Sequence, residues 1–79
     1  MSNEEKVKEI IADVLKVPMS SMEDDLAVGD IPEWDSLRHL MIINTLAKEF
    51  SIEFSREELV EIEDVSDIVN LITEKLEAK

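Results

Sequence analysis

The sequence predicts an all-α fold, a four-helix bundle of three long helices plus one short helix with a long first loop. Three observations carry that prediction. Apolar residues recur at helical spacing in separate stretches of the chain. One Gly and two Pro leave few places for turns. Glu, Lys, Leu, Ile and Val dominate the composition, as in helical domains. Seventy-nine residues, 1–79, make a single domain with no room for a second core. At 44% hydrophobic residues the chain can fold, though at this size one core leaves little stability to spare.

Taken in order, Val7, Ile10, Ile11, Val14 and Leu15 fall at i, i+3, i+4, i+7 and i+8. They form one apolar stripe on a helix from Asn3 to Lys16. Ser2 or Asn3 can cap its start, Glu4 and Glu5 suit the dipole of its first turn, and Pro18 stops it. Residues 17–35 then form a long connection, and 20–35 hold six acids and no base. A loop of that length in so small a domain is usually functional. Met22, Leu26, Val28 and Ile31 should tether it, and Ser20 or Ser21 can open a short helical turn.

The second helix runs from Ser36 to Phe50. Leu37, Leu40, Met41, Ile42, Ile43, Leu46, Ala47 and Phe50 cover much of its circumference, which predicts a central helix touching several neighbours. Asn44 is the polar exception. Phe50-Ser51-Ile52-Glu53-Phe54 alternates as a strand does, but with no partner strand it reads as an extended linker inserting Ile52 and Phe54. Ser55-Arg56-Glu57-Glu58 is a capping box opening a short third helix to Glu61. Asp64 can cap the last helix, whose stripe is Val65, Ile68, Val69, Ile72 and Leu76, ending near Glu77.

Charge and inventory exclude several functions. Eight basic against twenty acidic residues give a net charge of −12, which repels phosphate backbones and anionic lipid. Neither nucleic acid nor membrane insertion is therefore expected. Such a surface suits docking onto basic protein patches, or simply keeps the protein soluble. Without cysteine there is no disulfide or thiolate metal site. No apolar run approaches the roughly 20 residues of a membrane span, and no signal-peptide core is present. A cytoplasmic monomer is the expectation. The acidic loop invites a calcium site, with Gly29 sixth from Asp24, but Leu26 and Val28 stand where oxygen ligands are needed. No metal is expected. Catalysis fails on inventory too: His39 is the sole histidine, and its pairing with Ser36 on one helix has no oxyanion hole or cleft to work with. The expectation is no enzyme and no catalytic residue.

Ser36 stands out in Pro32-Glu33-Trp34-Asp35-Ser36-Leu37-Arg38-His39-Leu40. Pro32 interrupts regular structure, and the Asp35 carboxylate can accept free N–H groups of the next turn. Ser36 is then the first helical residue, its hydroxyl turned outward where unpaired amides and the positive dipole end converge. A phosphate attached there would occupy a natural anion site. A serine at a helix start is more often a local hydrogen-bonder. Its position after a long acidic loop, opening the second helix of a small bundle, favours covalent attachment.

These features together resemble the acyl carrier protein family. The resemblance covers the 4–15 helix, the long loop, Asp35-Ser36-Leu37, the Phe50–Phe54 turn, the short acidic helix and Ile62-Glu63-Asp64-Val65. It implies an acyl-carrier-like four-helix bundle with 4′-phosphopantetheine on Ser36, added from coenzyme A by a phosphopantetheinyl transferase. The arm's thiol would hold acyl groups as thioesters for acyl-loading and acyl-transferring enzymes. An arm bringing its own sulfur agrees with the absence of cysteine.

The departures from the family pattern matter as well. Carriers of fatty-acid synthesis typically keep acids in the second helix, where this chain has Arg38, His39 and Met41. Charges between Ser36 and Phe50 are Arg38, Lys48 and Glu49, while acids gather in the first loop and at Glu57, Glu58, Glu61, Glu63 and Asp64. Trp34 replaces a small residue, and Trp-Asp-Ser-Leu resembles stand-alone carriers of specialised pathways rather than housekeeping fatty-acid synthesis. An aminoacyl or peptidyl carrier is the nearest alternative, and an acidic helical interaction module without a prosthetic group is the alternative of a different class.

Candidate partner-binding residues are Trp34, Asp35, Leu37, Arg38, Met41, Glu57 and Glu58. Arg38, a cation in a first helical turn, opposes the dipole and so is a candidate to pair with the phosphodiester or an acidic partner residue. Its plainer reading is an exposed arginine. Trp34 either folds back over the helix start against His39 or Leu40, or stays exposed as an anchor. Leu37 divides similarly between partner and core. Ile42, Ile43, Leu46, Ile62 and Ile68 either line an acyl cavity or fill the core, and the core reading is preferred.

Overall fold

A computed structural model describes residues 3–77. The elements are α1 (Asn3–Leu15), a 3₁₀ turn (Met19–Ser21), α2 (Ser36–Phe50), α3 (Arg56–Glu61) and α4 (Val65–Glu77). Asn3 is already helical, so it does not cap α1; the other candidate cap, Ser2, lies outside the described residues. The helix stops before Lys16, which takes a left-handed φ of 59°. Val17 N–H then reaches back to the Ala12 carbonyl at 3.0 Å, closing the helix end without a glycine.

The long connection is bonded rather than merely tethered. Val28 N–H donates to the Glu63 carbonyl, Val65 N–H to Leu26, and Ser66 N–H to Asp24, each at 3.0 Å. An antiparallel bridge pairs Ala27 with Asp64. The loop thus runs alongside the connection between α3 and α4. At its other edge the Lys8 ammonium lies 3.0 Å from Asp24 and 3.3 Å from Glu4, clipping the loop to α1. Its hydrogen bond to Asp24 leads the effects that raise the Lys8 pKa. Gly29 sits at φ 91°, where a side chain would strain the backbone, and its N–H donates to the Trp34 carbonyl at 2.9 Å. The glycine that suggested a calcium loop therefore serves the turn leading into α2.

The shorter elements follow local chemistry. Ser51 ends α2 in a left-handed conformation, so the extended stretch begins only at Ile52, which is buried, and continues to half-buried Phe54. Ser55 and Glu58 form both halves of the capping box of α3. Asp64 accepts the Asp67 N–H at 2.8 Å at the start of α4.

The core joins Val7, Ile11 and Leu15 of α1 to Ile42, Ile43 and Leu46 of α2 and to Val65, Ile68 and Ile72 of α4, with Trp34, Ile52 and Ile62. Each such aliphatic side chain contributes roughly 1.5–3 kcal/mol of burial. No polar or charged residue is buried among the described residues. α1 packs against both α2 and α4. The expectation of a central α2 touching several neighbours needs correction. Leu37, Leu40 and Met41 stay 68%, 54% and 48% exposed, so the N-terminal half of α2 keeps an apolar outer face. Apolar residues on two sides of a helix reach the core on only one when a single neighbour layer exists. Among the described residues, no helix is long and apolar enough to cross a membrane.

Candidate functional site

The start of α2 is fixed from both sides. Trp34 N–H donates to the Ile31 carbonyl at 3.1 Å, which brings the chain tightly into the cap. Asp35 is extended (φ −103°, ψ −178°), and its Oδ1 accepts the Arg38 N–H at 2.8 Å. Its own carbonyl accepts the His39 N–H at 2.9 Å, the first bond of the helical ladder. Asp35 is thus the N-cap. Ser36 follows as the first helical residue, exposed, with its hydroxyl in no hydrogen bond among the described residues. The Ser36 and Leu37 amides have no acceptor inside the helix.

Arg38 is held locally. Its guanidinium donates to the Glu33 carbonyl at 3.4 Å and lies 3.8 Å from the Asp35 carboxylate. The cap carboxylate therefore offsets the cation that opposes the dipole.

Trp34 is wholly buried, at 0% exposure. Its indole Nε1–H donates to His39 Nδ1 at 3.2 Å, with the rings 6.0 Å apart and tilted by 33°. Indole nitrogen can only donate, so Nδ1 is the acceptor and the proton of neutral His39 resides on Nε2. Burial pushes the His39 pKa below its ordinary 6.5. Placing Trp34 among partner contacts is thereby corrected: it folds back against His39 and has no surface to offer.

Of the other candidates, Leu37 and Met41 are exposed on α2 beside Asp35 and Arg38. Leu40 belongs with them and was missed, as was Val60 of α3 at 75% exposure. The signal was available in the 37, 40, 41 spacing, one helical face distinct from the 42, 46 stripe. Glu57 is exposed on α3. Glu58 is engaged: its Oε1 accepts the Ser55 N–H at 2.7 Å and lies 2.8 Å from the Lys75 ammonium. That ammonium leads the effects holding the Glu58 carboxyl below its usual range. Ile42, Ile43, Leu46, Ile62 and Ile68 are core residues. An open depression of about 370 Å³ lies beside them, lined by Ala27, Val28, His39, Leu59, Ile62 and Glu63. No group of three His, Cys, Asp or Glu among the described residues could hold a metal ion.

This architecture defines a class: a small helical scaffold that displays a side chain at a helix start instead of enclosing a reaction centre. Comparison with known proteins agrees. The family model described as "Phosphopantetheine attachment site" matches residues 5–72. The acyl carrier protein of Petrotoga mobilis is 39% identical over 72 residues, covering 91% of this chain and 85% of that protein. That of Solidesulfovibrio magneticus is 37% identical over 75 residues, covering 95% and 96%. The solution structure of a holo acyl carrier protein from Geobacter metallireducens superposes with a TM-score of 0.86 at 27% identity, covering 99% and 90%. The chain belongs to the acyl carrier protein family, whose members are carriers rather than catalysts and bear a 4′-phosphopantetheine group. The start of α2 fits such a group, since an exposed, unbonded hydroxyl beside free amides suits attachment through a phosphodiester.

Proposed function

We propose that Ser36 carries the 4′-phosphopantetheine and that 1–79 is one monomeric carrier domain presenting acyl groups to partner enzymes in the cytoplasm. The observation that carries this is the Ser36 hydroxyl, exposed and unbonded directly behind the Asp35 cap. When attached, the group supplies a terminal thiol that holds cargo as a thioester. Asp35 fixes the backbone that displays the hydroxyl, and the amides of Ser36 and Leu37 face the attachment point. Leu37, Leu40 and Met41 offer apolar contact to a phosphopantetheinyl transferase and to acyl-loading and acyl-transferring enzymes, with Asp35, Arg38 and Glu57 as polar contacts.

The pathway is a specialised one rather than housekeeping fatty-acid synthesis. Supporting this, the outer face of α2 carries Leu37, Leu40, Met41, Asn44 and Lys48, and the helix's one acid, Glu49, stands in its last turn, although the chain has twenty acids. A partner reading this face meets apolar and basic groups where an acid-rich recognition helix would present carboxylates.

Intact mass after incubation with coenzyme A and a promiscuous transferase tests the attachment. The wild type should gain one phosphopantetheine and Ser36→Ala none; a gain that survives Ser36→Ala overturns the assignment. Tandem mass spectrometry of the thioester on protein from its native host tests the cargo. Fatty-acid-synthesis intermediates there would remove the specialised reading, and an aminoacyl group would replace acyl with aminoacyl carriage.

A further inference from the structure

We propose that Trp34 and His39 form a proton-sensitive clasp that positions the Ser36-bearing start of α2, closed when His39 is neutral and released when it is protonated. The positioning half rests on Ser36 as the attachment residue; the clasp itself does not.

The clasp closes around the attachment turn. Trp34 lies two residues before Ser36 and His39 three after, and their side chains bond at 3.2 Å across that turn. The backbone repeats the closure, since His39 N–H donates to the Asp35 carbonyl at 2.9 Å. Trp34 is also the residue whose carbonyl receives Gly29 N–H, so its ring and backbone together anchor the long loop at the point where α2 begins. Among the described residues, nothing else bonds the indole nitrogen, and no buried polar side-chain atom is left without a partner while the clasp is closed.

Protonation removes the acceptor. Imidazolium has a proton on both nitrogens, so Nδ1 can no longer receive the indole N–H. Two donors then face each other at 3.2 Å, and the indole nitrogen is left buried without a partner. The new positive charge also stands in the first turns of α2, where the helix dipole disfavours it. The charged groups around His39 are few. Arg38 and Asp35 flank it at the helix start, paired with one another at 3.8 Å. From the connection between α3 and α4, Glu63 lines the same depression, and the remaining residues there, from the loop and α3, are apolar. Burial disfavours the imidazolium and holds the His39 pKa below its ordinary value.

The chain contains one Trp and one His, so each half of the clasp reports without ambiguity. Unloaded full-length protein is titrated from about pH 8 to about pH 5 while the His39 ring shifts, the Trp34 indole N–H resonance and Trp34 emission are followed. In the wild type, red-shifted emission and a shift of the indole N–H resonance should appear with the midpoint of the His39 ring itself. That coincidence needs no variant. His39→Asn keeps an acceptor near the Nδ1 position without titrating, and should show no step. Loading by coenzyme A and one transferase is then compared as the ratio of wild type to His39→Asn, which cancels the enzyme's own pH dependence. The ratio should lie near one at the high end and fall several-fold at the low end.

A Trp34 signal that stays flat through the His39 titration, or steps equally in His39→Asn, overturns the clasp. A loading ratio constant with pH overturns the positioning. Loading absent even at the high end instead defeats the Ser36 assignment, and the positioning with it, while the titration of the unloaded chain still reads the clasp alone.

Discussion

Residue by residue, the start of α2 depends more on its cap than on its ion pair. The Asp35 carboxylate makes a 2.8 Å bond to the Arg38 amide but stands 3.8 Å from the Arg38 guanidinium, with both side chains well exposed. An exposed pair at that distance contributes at most about 1 kcal/mol and often nothing measurable. A lost N-cap costs about 1 kcal/mol, reliably. Asp35→Ala should therefore lower unfolding stability by about 1 kcal/mol in urea titrations, whereas Asp35→Asn, which keeps the cap oxygen, should stay within a few tenths of wild type. Equal losses for the two variants would mean that the charge, and hence Arg38, matters more than the cap. Trp34 shows the limit of residue-level reading. The sequence left it between a plug and a surface anchor because both need a large aromatic; only packing distinguishes them, and it packs at 0% exposure.

Among the elements, α1 and α2 both end on residues that dislike their conformation. Lys16 and Ser51 hold φ values of 59° and 55°, where L-residues other than glycine pay about 1–2 kcal/mol. Because Val17 and Ile52 N–H groups complete the endings, neither residue can relax without losing a 3.0 Å bond. Lys16→Gly should accordingly stabilise the protein by roughly 1 kcal/mol, net of the entropy glycine adds to the unfolded chain. Thermal melts at high salt, which mute the lost positive charge, check this, and an unchanged or lower midpoint counts against left-handed strain at that site. What the sequence made legible here was whatever is local. The stripes of α1 and α4 and the Ser55–Glu58 box are short-range patterns and stand where they were expected. The pairing of the first loop with the connection before α4 was not legible. It is made by backbone groups of residues far apart in the chain, such as Val28 with Glu63, and side-chain identity says little about them. Half-exposed α2 was misread for a related reason. An apolar surplus on a helix reads as burial, yet the Leu37, Leu40, Met41 face stays exposed because no other helix among the described residues covers that side of α2.

Over the whole molecule, charge and burial pull the acid response in opposite directions. A net charge of −12 stresses the folded state by self-repulsion, and protonating carboxylates relieves it. His39 acts the other way. Its folded pKa is lowered from 6.5 by burial, so the unfolded chain takes up the proton first. The stability due to neutral His39 is complete above 6.5 and is lost as pH falls through the lower folded value. Glu58, also lowered, has an ordinary pKa of 4.5, so it stays ionised in both states until the pH nears that value. Salt separates the two larger effects, because the screening length shrinks from about 10 Å at 0.1 M to about 3 Å at 1 M. Repulsion among exposed acids is then largely removed, while the cost of charging a half-buried imidazole remains. At about pH 8 the melting temperature should rise with added salt, since repulsion is the main charge effect at that end of the range. At high salt, acidification from about pH 8 to about pH 5.5 should lower the wild-type melting temperature and leave that of His39→Asn nearly level. Melts at the alkaline end that ignore salt would remove self-repulsion as a determinant of stability. Parallel pH slopes for the two proteins at high salt would remove His39, and the acid sensitivity would then have to come from carboxylates.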